Sequence, residues 1–383
     1  MALSHSPAVV TNGLVYYHDM GNTKKSWKGA PTTNSVTSPD TMSGWSNYYR
    51  TITSSTFTTE FGTTGYRFTN QPSWNGVAKG VTIPSTGTYT FSAWFRYLGG
   101  SSANNGATVY VSGWGGGDSA VTINKSLIGV WQRASITLNC TNTSMTFFLI
   151  SYGGTDNGTG NPDFSSWEVT MPQVESGSVA TPFTSSTRTT SNNIVDLTNT
   201  NTVTANLTYA SDNTFSFNGS SNHLTVPHNT TLSVTNDITI IAWVKVTNFS
   251  TYNGICSKTS GALAAPWDYY LGITSGIPQF YRGNGSVYSN ITATTAPTTG
   301  VWQQIAVTMS GTTVTHYLNG NTNGSGTLTT TIADAGNPMY IGSRQDFVTR
   351  MIGQLPVVNV YNRALPAKEV LQNFEALRGR YGI

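Results

Sequence analysis

The stretches TYTFSAWFRY (88–97) and DITIIAWVKV (237–246) match position for position in polarity, and their reading decides the fold. In each, alternate residues are apolar: Tyr89, Phe91, Ala93, Phe95 and Tyr97 in one, Ile238, Ile240, Ala242, Val244 and Val246 in the other. A period of two puts those side chains on one face of a β-strand, so each stretch is a strand with one face on a core. Three further matches follow in the same order. GVWQRASITL (129–138) corresponds to GVWQQIAVTM (300–309), MTFFLISYGG (145–154) to TVTHYLNGNT (313–322), and TMPQVESG (170–177) to QLPVVNVY (354–361). In the last pair each strand starts near a proline, as the edge or the start of a strand permits. Four ordered correspondences mean two domains of one fold.

The composition agrees. Charged residues make up 9% of the 383 residues, against about 25% in ordinary globular chains, and aromatic residues reach 11%. Thr suits exposed strand faces, while Gly and Asn suit turns. The apolar pattern lapses within SVATPFTSSTRTTSNNIVD, which marks the domain boundary. The expected fold is all-β: two tandem jelly-roll β-sandwiches with a short C-terminal α-helix. The expected divisions are an N-terminal arm at 1–28, a first jelly roll at 29–187, and a second at 188–383 that ends in a helix over 366–378.

That helix reads clearly. Pro366 fits a first turn and Glu369 the positive end of the dipole, while Arg378 and Arg380 suit the negative end and Gly379 a stop. Val370, Phe374 and Leu377 form its apolar stripe. The stripe is expected to pack on the chain's own sandwich, covering an edge or end that the strand VVNVY leaves open. Docking on a neighbouring subunit is the alternative.

Several functions are disfavoured. The net charge of +3 is spread thinly, and beyond Lys24, Lys25 and Lys28 no basic stripe interleaves with aromatics, so no nucleic-acid site is expected. Cys140 and Cys256 fall in different domains and read as small buried thiols, not as a disulfide. There is no basic segment followed by a long apolar run, and no window approaches 18 apolar residues, so neither a signal peptide nor membrane insertion is expected. Glycan cleavage needs two carboxylates about 5–10 Å apart across a cleft. The glutamates, Glu60, Glu168, Glu175, Glu369 and Glu375, form no Glu-x-Asp-x-Glu strand. His18-Asp19 lacks a serine elbow and reads as surface hydrogen bonding. No enzyme and no cofactor are expected. Calcium is the ion whose ligands the loops could supply, from Asp118 in GWGGGDSA or Asp156 and Asp163 in GTDNGTGNPD; capped glycine turns are the competing reading.

Sugar binding needs exposed aromatic platforms beside polar groups. The candidates are Trp45, Trp74, Trp114 and Trp267, the last beside Asp268, Tyr269 and Tyr270, and each competes with a reading as core. Trp114 reads as the most exposed, because glycines flank it.

The segments FSFNGSSNHLTVPHNTTLSVTNDITIIAWVKV, GICSK, YYLGI, GVWQQIAVTMSGTTVTHYLNG, MYIGSR and VYNRAL together resemble the laminin-G-like branch of the concanavalin A-like lectin/glucanase superfamily. NRALPAKEVLQNFEALRGRYGI resembles the ending of such domains in bacteriophage virion proteins. PQVESGSVATPF (172–183) resembles the closing strand and exit loop of carbohydrate-binding-module-like jelly rolls in phage tail and structural proteins, and GLVYYHDMGNTKKSWKG (13–29) an N-terminal segment of phage structural proteins. Gly353-Gln354-Leu355-Pro356-Val357 departs from the pattern, standing where such domains carry Gly-x-Leu-Asp-Glu.

The resemblance implies a virion structural protein, made in the host cytoplasm and exposed as a capsid, neck or tail decoration. Its jelly rolls would contact other virion proteins and host glycan, with the N-terminal arm lying against the first jelly roll or the particle. A homo-oligomer, a trimer or a larger symmetric assembly, is expected. The alternative is a tail-fibre adhesin for host polysaccharide, and a glycan depolymerase is a distant third.

Overall fold

A computed structural model describes residues 7–48, 54–71, 74–100, 107–151, 165–210, 215–249, 252–259, 266–284, 287–328 and 334–383. Two compact units divide the chain. One is Pro31–Arg188; the other joins the chain up to Ala30 and Thr189–Ala210 to the long C-terminal stretch that ends at Ile383. Each is an antiparallel β-sandwich, here called the first and the second.

The first sandwich packs two five-stranded sheets. One runs Trp131–Cys140, Gly87–Gly100, Ser165–Ser176, Thr64–Gln71, Ser54–Thr58; the other runs Ser46–Tyr48, Gly76–Thr82, Ser144–Ser151, Ala107–Ser112, Ser119–Thr122. The alternation predicted at 88–97 holds, for Tyr89, Phe91, Ala93, Phe95 and Tyr97 are all buried in one cluster with Phe68, Phe147 and Trp167. The free thiol of Cys140 lies in the same core.

In the second sandwich one sheet runs Thr208–Tyr209, Phe215–Asn218, Ile352–Tyr361, Ile238–Val246, Gln303–Ser310, Thr313–Leu318, Asn321–Thr327. The facing sheet runs Thr204–Asn206, His223–Val226, Met339–Ile341, Tyr252–Thr259, Pro266–Thr274, Ile277–Asn284, Tyr288–Thr292. Ile238, Ile240, Ala242, Val244 and Val246 face the core between them, which also holds the thiol of Cys256.

The repeat is real in three strands. Trp131–Cys140, Gly87–Gly100 and Ser165–Ser176 lie in the order of Gln303–Ser310, Ile238–Val246 and Ile352–Tyr361. The pairing of 145–154 with 313–322 does not survive. Thr313–Leu318 turns back at Gly311 beside Gln303–Ser310, whereas Ser144–Ser151 crosses to the opposite sheet between Gly76–Thr82 and Ala107–Ser112. The Trp114 carbonyl draws it there by accepting from the amides of Thr141 (2.9 Å) and Asn142 (3.3 Å). The prolines, expected at a strand edge or start, sit inside central strands. Both Pro172 and Pro356 fall in register shifts, where a bulge leaves an amide out of the ladder and so tolerates proline.

The N-terminal segment also departs from expectation. Leu14–Asp19 is a strand of the second sandwich, paired with Ile352–Tyr361, and Tyr16, Met20 and Trp27 enter that core. The pairing spans almost the whole chain, so no local pattern announces it. His18 and Asp19 are buried, not on the surface. Burial pushes the His18 imidazole down to about 4, and its Nδ1 lies 3.0 Å from the Tyr16 hydroxyl.

The helix α1 (Ala367–Leu377) starts after Pro366 and bears Glu369 in its first turn. Val370, Phe374 and Leu377 are buried, and the Phe374 ring lies parallel to that of Trp243 at 5.6 Å. Asn373 Oδ1 accepts from the Val10 amide at 2.9 Å. The roof covers a sheet face and not an edge, because Ile352–Tyr361 is an interior strand and its outward Val357 shares a cluster with Trp243 and Phe374. Gly379 is not the stop; a 3-10 turn, Arg378–Tyr381, continues to Gly382 at φ 74°.

Candidate functional site

On the outer face of the second sandwich's facing sheet, aromatic side chains converge on a cleft of about 360 Å³. The strands Pro266–Thr274, Ile277–Asn284 and Tyr288–Thr292 are neighbours whose registers place Tyr270 opposite Tyr281 and Tyr281 opposite Asn290. Tyr269, Leu271 and Phe280 point the other way, into the core. A register shift between Trp267 and Tyr270 breaks the alternation, so both reach the same cleft although they stand three positions apart.

Trp267 is the keystone. Its ring is stacked on Tyr288 (5.2 Å, 13°) and meets Tyr281 at 5.5 Å and Tyr270 at 5.8 Å, while the Arg344 guanidinium lies 5.1 Å over it. It is therefore 2% exposed, and the rings offered to solvent are Tyr288 and Tyr252, each 42% exposed. Gly272 leaves the space for this arrangement, since a Cβ there would meet the Tyr270 hydroxyl. The hydroxyls of Tyr270 and Thr349 lie buried together in the lining, close enough for Thr349 to act on the Tyr270 phenol. Burial pushes the Tyr270 phenol up.

The turn from Arg344 to Thr349 supplies the charged edge. Phe347, at φ 57°, closes it with an amide donating to the Arg344 carbonyl at 2.9 Å. Arg344 Nε donates to Asp346 Oδ1 at 2.8 Å and Nη2 pairs with Oδ2, a two-point grip that fixes the guanidinium over Trp267.

The other residues singled out by sequence lie elsewhere. Asp268 is 1% exposed and pairs with Lys258, which also holds Asp334. Burial raises the Asp268 carboxyl to about 6. Tyr269 is fully buried and donates to the Leu232 carbonyl at 3.2 Å, so neither residue can meet a sugar. Trp45 is core, edge-on to Phe147 at 5.7 Å. Trp114 is no platform: its ring folds over Gly116, its Nε1 donates to the Gly117 carbonyl at 2.8 Å, and it packs against the first core. The glycines make room for the ring instead of exposing it. Trp74 meets Tyr110 edge-on at 5.9 Å on an outer face of the first sandwich. Asp118 accepts from the Tyr110 hydroxyl, and Asp156 and Asp163 lie outside the described residues. Among the described residues no three His, Cys, Asp or Glu side chains gather as a metal site, and no helix is long and apolar enough to cross a membrane.

The glutamates of the first sandwich are engaged. Glu168, fully buried, accepts from Arg67 Nε and Arg96 Nε at 2.6 Å each, and Glu175 is held by Thr181 and Gln173.

Residues 217–371, inside the second sandwich, match the family described as the concanavalin A-like lectin/glucanases superfamily. That stretch is similar to concanavalin A-like domains. No curated protein matches the sequence. Among solved structures, the binding domain of Paraclostridial Mosquitocidal Protein 1 is similar at 19% identity, covering 47% of this chain and 49% of that one, with a TM-score of 0.38. The botulinum neurotoxin serotype D ligand-binding domain in complex with N-acetylneuraminic acid is similar at 15% identity, covering 49% of each chain, with a TM-score of 0.39. The chain spans about half the length of these structures, and likeness at this level bears on neither site nor ligand.

Proposed function

We propose that this chain is a non-enzymatic binding protein whose second sandwich grips a saccharide in the cleft beside Trp267. The observation that carries the reading is the ring cluster around Trp267, with Tyr288 and Tyr252 exposed above the hydroxyls of Tyr270 and Thr349. Stacking rings with a few convergent polar groups suit a sugar, which has apolar ring faces and hydroxyl edges. The cleft's volume falls within the ~300–1,000 Å³ of small-molecule sites. Wild-type protein should bind members of a panel of bacterial surface polysaccharides. Tyr288→Ala should weaken that binding about tenfold or more, a loss of ~1.4 kcal/mol, with its melting unchanged. Undiminished affinity in both Tyr288→Ala and Tyr252→Ala overturns the reading.

The setting proposed is the exposed surface of a phage particle, supported by the resemblance of the terminal and linker segments. Gold-labelled antibody against the chain should decorate intact particles, and labelling confined to disrupted ones contradicts it. One observation favours a protein partner for the first sandwich: Phe61, 45% exposed, packs on Trp94 and Trp131, and Leu127, Ile128 and Val130 are exposed in the segment that leads into the Trp131 strand, apolar surface of the kind that neighbouring proteins cover.

A further inference from the structure

The cleft has one charged side chain in its lining, and that charge is already spent. Among the described residues that line it, Arg344 is the single side chain charged at neutral pH, beside Tyr252, Trp267, Tyr270, Tyr281, Tyr288 and the polar residues around them. Its Nε and Nη2 are both committed to Asp346, whose Oδ1 also accepts from the Val348 amide at 3.2 Å, so the ion pair is locked within its own turn. The two charges act on the floor of the cleft with opposite sign, Arg344 drawing the Tyr270 phenol down and Asp346 pushing it up. A carboxylate-bearing sugar entering the cleft would meet a guanidinium whose charge Asp346 already balances and whose Nε–Nη2 edge Asp346 occupies, so that only the Nη1 side could donate, with the Asp346 carboxylate beside it to repel. It would lose hydration for a partner whose charge is already balanced. A neutral sugar meets no such cost. Its ring face rests on Tyr288 and its hydroxyls find Tyr270, Thr349, Asn290 and Thr274.

Resting on the saccharide reading above, we propose that the cleft selects neutral saccharides, and that Asp346 is the residue that sets this selectivity by occupying Arg344. Asp346 touches no ligand in this account. It acts through the guanidinium and is a positioning residue.

The test is a glycan array on which each neutral oligosaccharide is printed beside its sialylated and its uronate counterpart, read with the full chain. The wild-type chain is expected to bind neutral members at least about tenfold more tightly than their acidic counterparts, and this binding should hardly change between ~50 and ~500 mM salt, since no ion pair is formed for salt to screen. Asp346→Asn, nearly the same shape, releases the guanidinium and should strengthen binding of the acidic counterparts about tenfold, the scale of one charge-assisted hydrogen bond, while leaving neutral binding close to wild type. Equal or tighter binding of acidic members by the wild type, or steep loss of binding with salt, overturns the selectivity and leaves the saccharide site standing. If Asp346→Asn fails to fold, the wild-type ratio and its salt dependence still decide. Absence of binding to every probe, by a chain that melts cooperatively, overturns the saccharide site and this inference with it.

Discussion

The two sandwiches carry the same pattern, two tryptophans and a cation, at matching places on an outer face, and cover it differently. In the second sandwich Trp243, Lys245 and Trp302 hold the positions that Trp94, Arg96 and Trp131 hold in the first. The cation sits over the second tryptophan in both, 6.0 Å from the ring for Lys245 and 4.7 Å for Arg96. In the second, Phe374 and Tyr381 stack on Trp243 at 5.6 and 4.4 Å, Tyr381 also meets Trp302 at 4.7 Å, and the face becomes a small second core. In the first, among the described residues, Phe61 takes the place of that roof, and the face stays half open beside a charged network of Glu60, Glu168, Arg67 and Arg96. The repeat preserves the strands and their registers, which depend on the alternating pattern. The cover depends on what the chain ends bring, and so does the choice of free face: roofing one sheet of the second sandwich leaves the opposite sheet to build the aromatic cleft.

Paired substitutions test the difference most strongly. Trp243→Ala removes a fully buried ring and should cost the second sandwich ~3–5 kcal/mol in urea unfolding, whereas Trp94→Ala should cost the first about 1 kcal/mol. Equal losses would mean that the two faces are covered alike. Acid should separate the units next. All five histidines lie outside residues 31–188. Burial lowers His18 to about 4 and also lowers His223 and His316, so the unfolded chain takes up protons from about pH 6.5 while the folded sandwich does not. Stability is therefore lost as pH falls from about 6.5 toward 4, on the order of 3 kcal/mol for His18 alone. Asp268, raised to about 6, works in the opposite direction over that interval, and three histidines outweigh it. Urea titrations at pH 6.5 and 4.5, with each transition assigned by the tryptophan variants, should show the second sandwich weakening and the first nearly unmoved. The smallest effect belongs to Phe61→Ala. It trims an exposed ring and should cost the first sandwich under about 1 kcal/mol; a larger loss would make Phe61 as much a roof as Phe374.

The architecture was legible where structure is local and periodic. The stretches 88–97 and 237–246 alternate because one face of each lies on a core, and the stripe of Val370, Phe374 and Leu377 follows from helical spacing. What escaped was set by breaks in period or by distant partners. Pro172 and Pro356 read as strand starts because a bulge inside a central strand leaves no other trace in sequence. Leu14–Asp19 joins a strand more than 300 residues away. The cleft was half legible. Trp267 marked its place, yet its neighbours Asp268 and Tyr269 turn inward, while Tyr281, Tyr288, Tyr252 and Arg344 were missed. The signal available was the run of tyrosines on adjacent hairpins, at 270, 281 and 288, obscured by the register shift after Trp267.

The most direct test of the central claim is hydrogen–deuterium exchange of the intact chain with and without a saccharide that it binds on the array. Slowed exchange in Pro266–Thr274, Ile277–Asn284 and Tyr288–Thr292, with the strands bearing Trp94 and Trp131 unchanged, is the predicted result. Protection on the Trp94 and Trp131 strands, with those three segments unaffected, would contradict it.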